Sequence, residues 1–127
     1  MGVYSQASQL RNCTERDSCK DVREIVSNLS TSQKKKIDVV IKQLQSTLDV
    51  LKQQESQVKD SINRSLQQDG DQSTTLYPLF EREATIKCTI SKETYNAKVN
   101  IEKILTARQK EELRAALDKQ KREKRCR

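Results

Sequence analysis

The chain has 127 residues, of which 33% are apolar, 34% charged and only four aromatic (Tyr4, Tyr77, Phe80, Tyr95). One domain of this size buries proportionately little surface, and so little apolar volume excludes a thick globular core. Two glycines and one proline are too few breakers for a disordered chain, so composition points to long amphipathic helices that each bury one stripe. The net charge of +7 is concentrated in residues 106–127, where nine basic residues face four acidic ones, 9 − 4 = 5 of the excess. Electrostatic attraction is therefore expected from one end of the molecule, not from a nucleic-acid-binding body.

Residues 1–20 are polar and aperiodic and read as an N-terminal tail without the apolar stretch of a secretory signal. Gly2 would be exposed by removal of Met1, but Gln6 stands where a myristoylation pattern wants Ser or Thr. A helical region is expected over 21–69. It opens with Val22, Val26 and Leu29, and Ser30 with Gln33 has capping-box spacing, which marks a break at 30–33. Ile37, Ile41, Leu44, Leu48, Leu51, Val58 and Ile62 then recur in alternating steps of four and three, with Glu55 at the one remaining core position. This is the heptad rhythm of a coiled coil, and the extra step of four before Ile37 is one stutter. These seven residues are the expected partner-binding seam. The seam can be filled in cis, by the second half of the chain folding back, or in trans, by a second copy or another helical protein. Glu55 lowers the stability of that seam unless it meets Lys or Arg.

Gly70 suits a helix end and Pro78 follows it, so 70–78 reads as the reversing loop. Two readings compete over 76–105. Ile86, Cys88 and Ile90 alternate as in a strand, as do Tyr95, Ala97, Val99 and Ile101. Yet Leu79, Ile86, Ile90, Ala97, Ile101 and Ile104 share one helical face, beside a second stripe through Cys88, Tyr95 and Val99. Helix is favoured. The expected fold class is mainly α, with elongated coiled-coil helices in a helical hairpin, and a short β-hairpin or strand near 76–90 is the local alternative. A long helix, then TLYPLFEREATIKCTISKETYNAKVNIEKIL, then a second helix resembles the layout of a prefoldin subunit over about 33–125. That resemblance implies a β-hairpin between two coiled-coil arms and a holdase role. The family's glycine-centred hairpin pattern is missing from YPLFERE.

The second helical region is expected over 79–127. Thr106 and Gln109 repeat the capping-box spacing, Leu113, Ala116 and Leu117 supply an apolar stripe, and acid early with base late suits the helix dipole. Its end carries Lys119, Lys121, Arg122, Lys124, Arg125 and Arg127. These read as a solvated helix end able to adhere to an acidic surface. No aromatic residue lies among them to stack bases, and the apolar face is small for a membrane-surface helix.

Histidine is absent, which removes the usual general base and commonest metal ligand. Cys13, Cys19, Cys88 and Cys126 have neither zinc-site nor disulfide-framework spacing, which fits a reducing compartment. Cys126, flanked by arginines, is a candidate for oxidation or acylation. With two glycines there is no phosphate-binding loop, and IDVVI, the longest apolar cluster, is too short to cross a bilayer. The expectation is a protein without catalytic residues, metal, cofactor or transmembrane segment. It would be a structural or assembly subunit of a larger cytoplasmic complex, of cytoskeletal or microtubule-associated kind, whose partners are helical proteins or an acidic protein surface. The alternatives are a basic nucleic-acid-associated protein and, behind it, the prefoldin-like holdase.

Overall fold

The computed structural model describes the backbone of residues 22–125 and the side chains of 22–119. The N-terminal tail, with Gly2, Cys13 and Cys19, lies outside the described residues, as do Cys126 and Arg127. Four helices are described: α1 (Val22–Ile25), α2 (Thr31–Leu66), α3 (Ser73–Ile104) and α4 (Ala107–Arg125). The two long ones, α2 and α3, pack together as a helical hairpin, while α1 packs against α4 at its open end.

α2 starts where a cap is available. Ser30 Oγ accepts the Gln33 N–H at 3.0 Å, and Gln33 Oε1 accepts the Ser30 N–H at 2.9 Å. The helix then runs for 36 residues, roughly 54 Å at 1.5 Å per residue. It ends at Leu66, before Gly70, so this glycine turns the connection and does not cap the helix. Its φ of +86° is the reason for glycine, since a Cβ there would meet nothing within 4 Å. Asp71 Oδ1 accepts the Ser73 N–H at 2.9 Å, and that N–H holds the Asp71 carboxyl below its ordinary pKa. The chain thus re-enters helix at Ser73, and the reversing segment is 67–72, shorter and earlier than the 70–78 loop expected from Gly70 and Pro78. Pro78 lies within the second turn of α3, where it forfeits one backbone bond, that to the Thr74 carbonyl.

The competing local form does not occur. Residues 73–104 are one helix, and no strand is found among the described residues. Thr85, Thr89 and Thr94, which lent the segment its strand-like composition, donate their hydroxyls to the carbonyls of Glu81, Thr85 and Ile90 at 2.8–3.0 Å. Each hydroxyl is satisfied inside the helix. Ile86, Ile90, Ala97 and Ile101 are buried, while Cys88 is exposed; a strand would have placed it beside Ile86 and Ile90. The β-hairpin that a prefoldin-like layout requires is therefore missing.

The core is aliphatic. Ile37, Ile41, Leu44, Leu48, Val58 and Ile62 of α2 cluster with Ile86, Ile90, Ala97 and Ile101 of α3, and Leu51 packs half-buried against them. The heptad residues thus meet the chain's own second half. Glu55 is half-buried, with its carboxylate 3.8 Å from Lys59 Nζ one turn later. Val22, Val26, Leu105 and Leu113 continue the cluster into the α1–α4 layer. Each large aliphatic side chain buried this way contributes about 1.5–3 kcal/mol. Leu48, which is 0% exposed, and Val50, which is 55% exposed, are both aliphatic but lie on opposite faces of α2. In urea denaturation, Leu48→Ala is expected to lose about 3 kcal/mol and Val50→Ala less than about 0.5 kcal/mol.

Candidate functional site

Two features stand out from the two-helix frame: a glutamine clasp at the open end and an aromatic face on the outside of α3. At the open end, the start of α2 and the end of α3 lie side by side. Thr106 and Gln109 form a second capping box, with Gln109 Oε1 accepting the Thr106 N–H at 2.9 Å and Thr106 Oγ1 accepting the Gln109 N–H at 3.3 Å. The two capping glutamines also meet. Gln33 Nε2 donates to Gln109 Oε1 at 2.9 Å and to the Ile104 carbonyl at 3.0 Å. Gln109 Nε2 donates to the Asn28 carbonyl at 3.1 Å and the Ser27 carbonyl at 3.4 Å. Asn28 adopts left-handed backbone (φ 59°), which asparagine tolerates better than most residues. One pair of side chains therefore caps two helices and satisfies the carbonyls of both chain breaks. Gln109 is itself buried, and its loss would leave Gln33 Nε2 with the Ile104 carbonyl as its one remaining acceptor here.

Carboxylates hold α1 and the residues after it from both sides. Arg23 Nη1 lies 2.6 Å from Asp38 Oδ1 of α2. Glu112 of α4 accepts the Ser27 N–H at 3.0 Å and its hydroxyl at 2.9 and 3.1 Å. Bonding to Lys42, and then the charges of Lys42 and Arg23, hold the Asp38 carboxyl below its ordinary pKa, against some desolvation. The Ser27 N–H, its hydroxyl and then the Arg108 charge do the same for Glu112. Arg114 of α4 reaches Glu102 of α3 at 3.7 Å. These pairs are partly exposed and individually weak.

The second feature lies on the opposite side of α3 from its core stripe. Tyr77 is 64% exposed, Phe80 43% and Tyr95 52%; Ala84 and Cys88 between them are exposed, and Val99 is half-buried. Spacings of three, four, four, seven and four put these six residues on one helical face. Every described aromatic residue is thus outside, and none is in the core. Solvent faces of amphipathic helices are normally polar, whereas tyrosine and phenylalanine are enriched in protein interfaces. Lys98 Nζ sits 5.8 Å from the Tyr95 ring centroid, a weak cation–π contact at an exposed site.

The seam expected to bind partners, from Ile37 to Ile62, lies against α3, with Leu51 half-buried at its edge. Of the basic residues expected to attach electrostatically, Lys119 is exposed; α4 continues through Lys121, Arg122, Lys124 and Arg125, whose side chains lie outside the described ones, as Arg127 does entirely. The second stripe through Cys88, Tyr95 and Val99 is visible in the sequence, but Tyr77 falls within the expected 70–78 loop, and Phe80, inside the expected helix, is not part of that stripe as read. The glutamine clasp had a signal as well, in two S/T-x-x-Q boxes 76 residues apart.

A shallow open groove of about 520 Å³ between α2 and α3 has Lys42 and Glu93 as its only ionisable lining residues. Among the described residues, no group of three or more His, Cys, Asp or Glu is placed to hold a metal ion. No helix among them is long and apolar enough to cross a membrane. Compared with protein-family models, curated proteins and solved structures, the chain matches none of them.

Gln109→Ala is expected to lower unfolding free energy by about 1–2 kcal/mol, since it removes a helix cap and the hydrogen bonds that join it to Gln33, Ser27 and Asn28. The carboxylates give a pH dependence of defined sign. Both have depressed folded pKa values, so their stabilisation is present above the ordinary carboxylate range and is lost as pH falls through the folded values. Amide-exchange protection at Ser27 should therefore drop as pH falls below that range, and in Glu112→Gln it should already be reduced at neutral pH and lose most of that dependence.

Proposed function

We propose that this protein is a non-enzymatic helical assembly subunit, contributing a coiled-coil hairpin to a larger intracellular complex. The observation that carries this reading is the outer face of α3. With the heptad seam filled in cis, the chain still displays Tyr77, Phe80 and Tyr95 to solvent. Contiguous exposed apolar surface of this kind marks interaction sites in soluble proteins. The seam from Ile37 to Ile62 therefore builds the subunit, and α3 presents it to partners that are themselves helical. The basic residues of 106–127 add attraction towards an acidic neighbour. An acidic protein lattice such as a microtubule suits that charge, so the complex we favour is cytoskeletal and cytoplasmic.

The competing reading is a basic nucleic-acid-associated protein, and the same charge excess is its support. Capture from native extract separates the two. Wild-type protein should bring down discrete polypeptides, and these should be lost with Phe80→Glu/Tyr95→Glu but only weakened by deleting 119–127. Recovery of the chain without other polypeptides would contradict the assembly reading. So would recovery of nucleic acid whose binding falls steeply with log salt and vanishes on deleting 119–127.

A further inference from the structure

The outer face of α3 has a symmetry that points to what covers it. Counted from Cys88, Tyr77 lies eleven residues before and Val99 eleven after, Phe80 eight before and Tyr95 seven after, and Ala84 four before and Ser91 three after. Bulky side chains stand at both ends of the stripe and small ones in the middle. In an antiparallel, two-fold pair of helices, each residue opposes the one equally far on the other side of the axis. We infer that this face pairs with the same face of a second copy, antiparallel, with the two Cys88 residues at the two-fold axis.

In that register Tyr77 meets Val99 of the other copy, Phe80 meets Tyr95, and Ala84 meets Ser91, each contact made twice. Aromatic residues fill both ends, while Ala84, Cys88 and Ser91 let the helix axes approach to about 8 Å at the centre. The flanking charges set the direction. Glu81 and Lys92 stand on the same side of the stripe, and neither forms an ion pair among the described residues. Antiparallel pairing brings Glu81 of one copy within reach of Lys92 of the other, twice; in a parallel two-fold pair the same flank falls on opposite sides of the seam in the two copies, and no such pair forms. The net charge of +7 does not prevent the association, because residues 70–105 carry five basic and five acidic residues, 5 − 5 = 0. From Tyr77 to Val99 the paired face is about 33 Å long. That is the small end of specific interfaces, so the dimer is reversible and not obligate.

This inference rests on the reading of the α3 outer face as a contact surface, and purified protein tests it apart from any larger complex. The full chain with Cys13→Ser, Cys19→Ser and Cys126→Ser retains Cys88 alone. A short bismaleimide should cross-link it to dimer at micromolar concentration, with the band abolished by Cys88→Ser or by Phe80→Glu/Tyr95→Glu. The latter pair changes exposed residues, so helical circular dichroism and the unfolding midpoint of the monomer should stay unchanged. Moving the single cysteine to the end of the face, as Thr74→Cys with Cys88→Ser, should abolish the cross-link, since antiparallel pairing separates those thiols by about 42 Å. Sedimentation should show a concentration-dependent monomer–dimer equilibrium lost in the Phe80→Glu/Tyr95→Glu variant. A chain that stays monomeric with no Cys88 cross-link, or one that cross-links equally from position 74, overturns the antiparallel dimer. If extract capture then still yields partners dependent on Phe80 and Tyr95, the dimer alone has failed. If the dimer forms but no other polypeptide is captured, the larger-complex reading has failed and the dimer stands.

Discussion

Each long helix of this chain has one well-filled apolar stripe, and the burial of the α2 stripe against α3 organises everything else. A single helix of 36 residues with a seam of isoleucine and leucine leaves that seam in water unless a second helix covers it. The connection at 67–72 is short enough to return α3 antiparallel along the same seam, so the nearest available cover is the chain itself. Ile37, Ile41 and Leu48 are almost fully removed from solvent by this pairing. Glu55 sits at its edge, where its carboxylate keeps some solvent and reaches Lys59. That position lets the seam tolerate a charge that a fully buried site would not.

The open end of the hairpin needs a different solution, because two chain breaks there expose helix-terminal N–H and C=O groups. Two glutamines supply it. Gln33 and Gln109 each cap their own helix and each bond to the other, which couples the start of α2 to the start of α4. The α1–α4 layer is held by this clasp, by small aliphatic contacts and by partly exposed carboxylate pairs. It has far less buried apolar surface than the α2–α3 seam. Local opening is therefore expected to begin in this layer, ahead of the hairpin itself.

Much of this architecture can be read from residue spacing. The heptad positions of α2 and both S/T-x-x-Q boxes are local patterns, and the structure forms them where the residues lie. The helix limits near the turn were less legible. Gly70 and Pro78 are strong breaker signals, but the turn uses Gly70 after the helix has ended and α3 absorbs Pro78 early, where one lost backbone bond is tolerable. The β-branched run over 85–94 imitated a strand, since threonine hydroxyls bonding to carbonyls one turn back leave no mark in composition. What faces what is only partly legible: the stripes of each helix are, but not which of them meet. The meeting of Gln33 with Gln109 and the exposure of Tyr77, Phe80 and Tyr95 depend on the packing of the hairpin, which single-helix periodicity does not specify.

The heptad seam is filled within one chain, which leaves the outer face of α3 uncovered. Paired spin labels at Ser46 and Asn96, exposed residues on the two sides of the α2–α3 groove, test it most directly in an otherwise cysteine-free chain. With helix axes 8–10 Å apart, the labels should give a distance on the order of 20 Å. Its amplitude should be unchanged when labelled protein is diluted into excess unlabelled chain. A short distance that disappears on dilution would mean that the seam is filled by another copy and not by the chain's own α3.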